Sequence, residues 1–196
     1  MRPPLVLASA SPRRLQLLAQ IAIVPDAVDP PEVDEAVLPG ELPRPMVARL
    51  AAAKAGTVAA RRPDAFVLAA DTTVAVGRRI LGKPADAAEA RRMLQLLSGR
   101  AHRVFTGVCV VAPGGRTAAR VSETRLRFKR LERRELDAFV ASGEWEDAAG
   151  AYKVHQRAGA FVLSLSGSFT GVVGLPLYET RALLTGLGWL EPRVGP

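Results

Sequence analysis

The stretch at residues 66–73, FVLAADTT, decides the fold class of this chain. Its first five residues form an unbroken apolar run, which indicates a strand buried on both faces in the middle of a sheet. The run ends in Asp71, Thr72 and Thr73, and we expect these polar groups at the tip of the strand. An acid at such a tip is usually a metal ligand or a general base in α/β enzymes. Helix capping is the other common role, but apolar residues 74–76 continue the strand pattern.

Predicted strands and helices alternate on both sides of this stretch. Apolar runs predict strands or strand-like segments at residues 5–8, 104–112, 117–129, 161–166 and 171–174, with a hairpin arm at 74–80. Helical spacing predicts helices from Pro12 onward and at residues 45–61, 86–97, 132–142 and 176–187. This order predicts the α/β class, with a mixed sheet flanked by helices. We expect one domain over residues 1–196, although a break after Pro84 could divide it into two lobes.

The composition is that of a folded domain, with 48% hydrophobic and 23% charged residues. No apolar run is long enough to span a membrane, and the N-terminal residues do not form a signal peptide. The single cysteine, Cys109, lies in an apolar run, so we expect a core thiol in a reducing compartment. The sequence therefore predicts a cytoplasmic protein with no membrane partner.

The net charge of +8 favours partners that carry phosphate. Nucleic acids, membranes and small nucleotides all qualify, and composition does not choose among them. The chain has only two tyrosines and two tryptophans, and no basic stretch is interleaved with aromatic residues. Arginines are scattered, with short pairs at 61–62 and 133–134, so we expect no stable nucleic-acid partner.

Residues 9–14, SASPRR, lie between a predicted strand and a predicted helix. Pro12 suits the first helical position, and Ser11 can cap the backbone donors of the first turn. The N-terminus of a helix, hydroxyl groups and a guanidinium together make an anion site, for which Ser9 and Arg13 are the candidates. A capped helix with two surface arginines is the alternative.

Further candidates lie in loops and on the second helix. Lys83, in a Gly-Lys-Pro turn, can neutralise a phosphate, although a lysine in a turn is usually solvated. Asp34 and Glu35 could complete a magnesium site with phosphates, or form a solvated acidic turn. Lys54, on the helix at 45–61, would ordinarily lie on the surface.

The segment at 149–152, AGAY, combines small residues with an aromatic ring. Close approach of the backbone and the ring of Tyr152 could hold a base, whereas a buried tyrosine with a bonded hydroxyl is the alternative. His155 follows, but His102 is the only other histidine and no zinc-type spacing exists. A zinc role for His155 is therefore disfavoured.

Taken in order, these stretches resemble the Maf family of nucleotide pyrophosphatases. The matching pieces are residues 9–14, 33–35, 50–55, 70–72, 82–84, 98–108, 149–152 and 173–177. Each motif alone is weak, but the ordered set covers the chain from residue 5 to about 187 and is specific. The family implies a fold like that of inosine triphosphate pyrophosphatases, with a cleft between two lobes and often a homodimer.

The resemblance also implies the reaction, which is cleavage between the α and β phosphates of a nucleoside triphosphate. By position, Asp71 would be the proton acceptor or a metal ligand that prepares the attacking water. A divalent cation, Mg²⁺ or Mn²⁺, would be held with the help of Asp34 or Glu35. The residues that would hold the triphosphate are Ser9, Arg13, Lys54 and Lys83.

Two branches of the family differ in their base. One resembles dTTP/UTP pyrophosphatases and the other acts on 7-methyl-GTP, and the positions that differ correspond to Arg13, Thr72 and His155. Arg13, Thr72 and the Tyr152 motif match the dTTP/UTP pattern. His155 matches neither branch, because the first has glutamine and the second has glutamate there. An imidazole cannot reproduce the paired donor and acceptor of an amide.

Two other functions compete with this prediction. Members of the family were first noticed as inhibitors of septum formation, so a regulatory protein that binds a partner is one alternative. The retention of Asp71 and Lys83 favours catalysis over that alternative. A basic domain that binds RNA or DNA is the other, and it would require a contiguous basic stripe.

Overall fold

The computed structural model describes residues 2–189, and in that part seven strands alternate with six α-helices. In chain order these are β1 (Leu5–Leu7), α1 (Pro12–Gln20), β2 (Ala27–Val28), α2 (Pro43–Arg61), β3 (Phe66–Val76), β4 (Arg79–Leu81), α3 (Ala87–Leu97), β5 (Ala101–Val111), β6 (Thr117–Phe128), α4 (Arg133–Ala141), β7 (Val162–Ser166), α5 (Phe169–Val173) and α6 (Leu177–Gly186). Two short 3₁₀ turns, Ala149–Ala151 and Arg157–Phe161, precede β7.

All described strands belong to one mixed sheet, in the order β2-β1-β3-β5-β6-β7, with β4 paired to the far end of β3. β1 is parallel to both β2 and β3, whereas the pairs from β3 through β5 and β6 to β7 are antiparallel. Alternate residues of β3 pack on α2 on one face and on α1 and α6 on the other. The predicted α/β class with a mixed sheet flanked by helices is confirmed.

The central strand β3 is longer than the sequence predicts. It runs without interruption through Asp71, and β5 pairs with its residues 67–75. Its other neighbour, β1, pairs only with residues 66–68 and then leaves the sheet. The prediction that Asp71 lies at the tip of its strand was therefore wrong. Asp71 lies in mid-strand, at the point where the end of β1 uncovers one edge of β3.

Helix α2 lies very close to the sheet because Gly107 lacks a side chain. Gly107 is the β5 residue opposite Asp71, and a Cβ placed on it would be 2.2 Å from the carbonyl oxygen of Val47. Lys54 is two helical turns after Val47 and on the same face of α2. The close approach at Gly107 therefore brings Lys54 down to the level of the sheet.

The two largest clusters of buried apolar residues in the described part of the chain lie one at each end of the long strands. One cluster contains Val74, Val104 and Phe128 and packs against α3 and α4. The other contains Leu68 and Val110 and packs against α1 and α6. Both clusters draw residues from before and after Pro84, since β3 and β5 run through both ends. Position 84 therefore does not separate the two clusters.

Several bounds differ from those predicted; β5, for example, begins at Ala101 rather than at residue 104. Residues 171–174 are not strand-like, because Phe169–Val173 forms the short helix α5. Ser168 starts this helix, with its Oγ accepting a hydrogen bond from the Gly171 N–H at 2.9 Å. An apolar run of this length does not distinguish strand from helix by its pattern. Helix α2 begins at Pro43 rather than residue 45, with that proline in its first turn.

Candidate active site

A cavity of about 940 Å³ opens where β1 ends beside the middle of β3. Its walls come from the loop after β1, the start of α1, helix α2, strand β3 and the segment at 147–155. Eight of the nine predicted site residues line it: Ser9, Arg13, Glu35, Lys54, Asp71, Thr72, Lys83 and His155.

Asp34 is the exception. It lies on the exposed loop before α2, where its Oδ1 accepts a hydrogen bond from the Ala36 N–H at 2.9 Å. Its carboxylate therefore shapes a turn in that loop. Of the predicted acidic pair, the structure brings Glu35 and not Asp34 to Asp71.

A buried ion pair lies on the floor of the cavity. Lys54 is 7% exposed and Asp71 is 6% exposed, and the lysine Nζ donates a hydrogen bond of 2.7 Å to Asp71 Oδ1. Glu35 Oε1 lies 2.6 Å from the same Nζ. Two carboxylates thus converge on one point, which the ammonium group occupies. Burial raises the pKa of Asp71, and the positive charges of Lys54 and Arg14 oppose that rise.

The buried position of Lys54 departs from the expectation of a surface lysine. The sequence spacing does indicate that Lys54 is buried, since it falls on the face of α2 that carries Val47, Leu50, Ala51 and Val58. A lysine on a buried stripe needs a charged partner, because an unpaired buried ammonium is costly. Asp71 and Glu35 are those partners.

The loop that carries Glu35 is fastened to α2 near both ends. Asp29 forms ion pairs and hydrogen bonds with Arg61 at one end. Glu41 binds Arg49 with two hydrogen bonds of 2.7 Å at the other. These contacts lower the pKa of both Asp29 and Glu41 to about 2. Glu35 is therefore presented by an irregular loop that ion pairs hold in place.

Ser9 and Arg14 build the wall beside the start of α1. Ser9 Oγ accepts hydrogen bonds from the Ser11 N–H at 3.1 Å and from Arg14 Nη1 at 3.0 Å. Arg14 Nε also donates to the carbonyl oxygen of Gly174 at 3.0 Å. The Ser11 side chain makes no capping bond, contrary to the sequence prediction, and α1 has no acid in its first turn. Pro12 has no N–H, and the amides of Ser11 and Arg14 bond to Ser9 Oγ and Ser11 O, so the donors of this turn for an anion are the Arg13 N–H and the Ser9 hydroxyl.

Arg14 is a cavity residue that the candidate set from the sequence did not include. Burial lowers the pKa of its guanidinium, while the negative charge of Asp71 raises it. The motif holds two adjacent arginines, and it is Arg14 that packs between Ser9 and Gly174. The sequence gives no signal that separates Arg13 from Arg14 in this respect.

Further cations lie at the mouth of the cavity. The Lys83 side chain is 63% exposed, and its Nζ is 3.7 Å from Asp147 Oδ1. Arg13 and Lys153 line the same opening. Burial is the larger cause that lowers the pKa of His155 below its ordinary value. The positive charges of Arg13 and Lys153 lower it further. His155 is therefore neutral at pH 7.

Thr72 belongs to a relay of hydrogen bonds that crosses the sheet. Its Oγ1 lies 3.0 Å from Thr106 Oγ1, and Thr106 Oγ1 donates to the carbonyl oxygen of Gly171 at 2.8 Å. Thr106 is 1% exposed, whereas Thr72 is half-buried and lines the cavity. This relay links the cavity wall to helix α5.

Tyr152 follows the alternative considered for it from the sequence. It is buried, its hydroxyl is hydrogen-bonded to His102 Nε2 at 2.8 Å, and its ring meets Phe128 edge to face. Gly150 allows the turn before it, with a φ of 69° and Val74 directly beneath. Burial raises the pKa of Tyr152 and lowers that of His102 to about 4. The ring thus forms a firm wall whose hydroxyl is already engaged.

The metal-binding capacity of the site rests on two carboxylates. Among residues 2–189, no three or more His, Cys, Asp or Glu side chains group together as a metal cluster. Asp71 and Glu35 nevertheless fit a magnesium-type ion, which often takes one or two carboxylates and completes its shell with phosphate and water. Oxygen ligands of this kind also suit manganese.

The arrangement of these motifs in one cavity agrees with a comparison against known protein families. The sequence pattern described as Maf-like protein matches residues 4–187. The chain belongs to the Maf family. This match covers every described element of the sheet and all eight cavity residues named above.

Relatives in the family are similar over nearly their whole length. A dTTP/UTP pyrophosphatase of Maricaulis maris is 61% identical over 188 residues, which cover 96% of this chain and 90% of that protein. A dTTP/UTP pyrophosphatase of Caulobacter vibrioides is 58% identical over 187 residues, with 95% and 97% covered.

A more distant similarity exists to a solved structure. The nucleoside-triphosphatase, or dITP/XTP pyrophosphatase, of Mycobacterium abscessus is 19% identical, with a TM-score of 0.43. The match covers 65% of this chain and 74% of that one. None of the described helices is long and apolar enough to cross a membrane.

Proposed function

We propose that this chain is a nucleoside triphosphate pyrophosphatase that hydrolyses dTTP and UTP to the monophosphate and pyrophosphate. One observation carries the proposal. A buried carboxylate, Asp71, is held by Lys54 on the floor of a cavity whose rim is cationic. Hydrolysis of a phosphoanhydride needs positive charge around the phosphates and an oriented water, and this arrangement offers the positive charge and a carboxylate that can orient the water. The names of the relatives at 58–61% identity give the substrate.

The triphosphate would bind along the positive wall. The Arg13 N–H at the start of α1 and the Ser9 hydroxyl suit one phosphate, and the side chains of Arg13 and Lys83 suit the charge at the mouth. Arg14 is already engaged with Ser9 and Gly174, so it keeps this wall in position. Contacts to the phosphates are the same for every nucleoside triphosphate, so they do not select the base.

Asp71 would act on the attacking water. Its Oδ1 accepts a hydrogen bond from Lys54 in this structure and would face the cation when one is bound, so its second oxygen can accept the proton. The raised pKa of Asp71 brings its basicity nearer to what a general base needs. Water then bonds to phosphorus, the bond to the bridging oxygen breaks, and pyrophosphate leaves with the electron pair.

A divalent cation, Mg²⁺ or Mn²⁺, would be held by Asp71 and Glu35. When bound, it would neutralise phosphate charge and polarise the reacting phosphoryl group. The ammonium of Lys54 lies between the same two carboxylates and must then turn towards the phosphates. In that position Lys54 would hold the triphosphate, as the family resemblance implies.

The base would lie against Thr72, Arg13 and His155, and a neutral His155 offers one donor and one acceptor. We also propose that the enzyme is cytoplasmic, since its one cysteine cannot form an internal disulfide, which fits a reducing compartment. A homodimer is the assembly that the family resemblance favours.

The test is pyrophosphate release from a panel of nucleotides with Mg²⁺ or Mn²⁺. The panel contains dTTP, UTP, dCTP and 7-methyl-GTP, and products are separated to identify the monophosphate. We expect dTTP and UTP to be hydrolysed fastest. Preference for 7-methyl-GTP would keep the enzyme class and move the substrate. A folded protein that hydrolyses none of them would contradict the proposal and favour a binding protein.

A further inference from the structure

We propose that Thr106 sets which base the cavity accepts, by fixing the direction of the hydrogen bond made by Thr72. The inference rests on the proposed function and deepens it. Thr106 itself is buried and does not line the cavity, so it acts as a positioning residue. Its effect on a nucleotide passes through the hydroxyl of Thr72.

The direction of the relay follows from counting protons. Thr106 Oγ1 lies 2.8 Å from the carbonyl oxygen of Gly171, and a carbonyl has no proton to donate. Two oxygens at that distance repel unless a proton lies between them, so the single hydroxyl proton of Thr106 points to Gly171. The bond of 3.0 Å between the two threonines therefore uses the proton of Thr72.

This leaves Thr72 as a pure acceptor toward the cavity. Its one proton is committed to Thr106, and only oxygen lone pairs remain for a ligand. Thr72 and Thr106 are directly opposite each other on β3 and β5, so the pair is held by the sheet. Gly171 is held in turn by the Ser168 cap of α5. The polarity of the site is thus fixed by rigid elements.

An acceptor at this point selects among pyrimidines. Thymine and uracil carry an N–H donor at ring position 3, whereas cytosine carries an acceptor there. Thr72 therefore complements the imide edge of thymine or uracil and faces cytosine with like polarity. A site that leaves polar groups unpaired against the wrong base discriminates strongly. The relay explains how one small hydroxyl can distinguish bases of nearly equal size.

The test is the ratio of kcat/KM for dTTP to kcat/KM for dCTP in Thr106→Val. Valine has the shape of threonine but no hydroxyl, so the proton of Thr72 is released and can be donated to cytosine. We expect the ratio to fall by about tenfold, mainly through a lower KM for dCTP. Thr106→Ser restores the hydroxyl and should restore the ratio.

The matched control is Thr124→Val on the neighbouring strand β6. Thr124 Oγ1 also donates to a carbonyl next to α5, that of Ser168 at 3.2 Å, and it lies outside the cavity lining. We expect this variant to leave the ratio within twofold of the wild type. An equal fall in both valine variants would show that a displaced α5 is responsible, and would overturn the inference.

Other outcomes also decide the matter. An unchanged ratio in folded, active Thr106→Val would overturn the inference, as would a wild-type enzyme with no preference for dTTP over dCTP. Either result leaves the pyrophosphatase function standing. If Thr106→Val does not fold, Thr72→Val tests the same acceptor, and it should raise KM for dTTP but not for dCTP. A wild-type protein inactive on all nucleotides would instead contradict the proposed function.

Discussion

At the scale of single residues, the account depends on Lys54 lying between Asp71 and Glu35. A buried ammonium is tolerated because two carboxylates surround it, and those carboxylates tolerate each other because of the ammonium. The structure thus shows a positive charge at the place where a divalent cation would bind. Lys54 and the cation should therefore compete.

This competition can be measured without any nucleotide. In Lys54→Met the two carboxylates lose their ammonium, so we expect Mn²⁺ to bind about tenfold more tightly in calorimetry. Lys54→Arg keeps the charge and should resemble the wild type. Lys153→Met removes a charge at the mouth of the cavity and is the control. Unchanged or weaker Mn²⁺ binding by Lys54→Met would contradict the competition.

A second residue-scale prediction concerns His102. Burial holds the pKa of this histidine at about 4 in the folded state, against 6.5 ordinarily, so the unfolded chain binds the extra proton first on acidification. The contribution of a neutral His102 to stability is thus present above pH 6.5 and is lost as pH falls towards 4. The loss is roughly 3 kcal/mol by the size of the shift.

Urea unfolding between pH 7.5 and 4.5 checks this sign. We expect the free energy of unfolding of the wild type to fall on acidification more steeply than that of His102→Asn. The pKa of exposed His155 is lowered in the same direction but by a smaller shift, so His155→Asn should change the pH dependence less than His102→Asn does. Parallel pH curves for the wild type and His102→Asn would show that His102 does not titrate in this way.

The residue scale also shows where a single sequence stops being informative. The helical spacing of α2 predicts that Lys54 is buried. It does not identify the partner, because Asp71 is on another element. It is harder still to predict which of two neighbouring residues faces the cavity. Glu35 faces the cavity and Asp34 bends its loop, and that choice depends on the irregular backbone between them. No periodicity predicts such a backbone.

At the scale of elements, the decisive contact is between α2 and β5 at Gly107. We expect Gly107→Ala to destabilise the protein by about 3 kcal/mol, because the added methyl meets the backbone of Val47, which cannot move aside easily. Crowding against the Val47 backbone is not the only result, since a lifted α2 also draws Lys54 from Asp71. Activity should therefore fall as well.

The control is the same substitution on the helix itself. Gly56 lies in α2 with nothing within 4 Å of its ideal Cβ, so Gly56→Ala should stabilise by up to about 1 kcal/mol through helix propensity. Urea denaturation of both variants measures the two effects. Equal changes in the free energy of unfolding would show that the approach at Gly107 is not close.

Elements with a strong pattern were predictable and those without one were not. Long runs with clear alternation or helical spacing, such as β6 and α3, appear where expected. The failures are local. β3 continues through Asp71 because β5 pairs with it there, and residues 171–173 are helical in a turn that Ser168 caps. Both outcomes depend on partners that a local pattern does not contain.

At the scale of the whole molecule, the mixed sheet creates the site. Parallel pairing on one side stops at the end of β1, while antiparallel pairing on the other side continues past it. The step between them uncovers Asp71 next to the N-terminus of α1. The alternation of strands and helices could be predicted from the sequence, but this step could not, because it is a matter of which strands are neighbours.

The central claim is that the carboxylate uncovered at this step is catalytic, and Asp71→Asn tests it most directly. Asparagine has the same shape but neither accepts a proton as a base nor carries the negative charge for a metal. We expect kcat for pyrophosphate release from dTTP with Mn²⁺ to fall by about 10²–10⁴-fold, in a protein that circular dichroism shows to be folded. Near-normal turnover in folded Asp71→Asn would contradict the account.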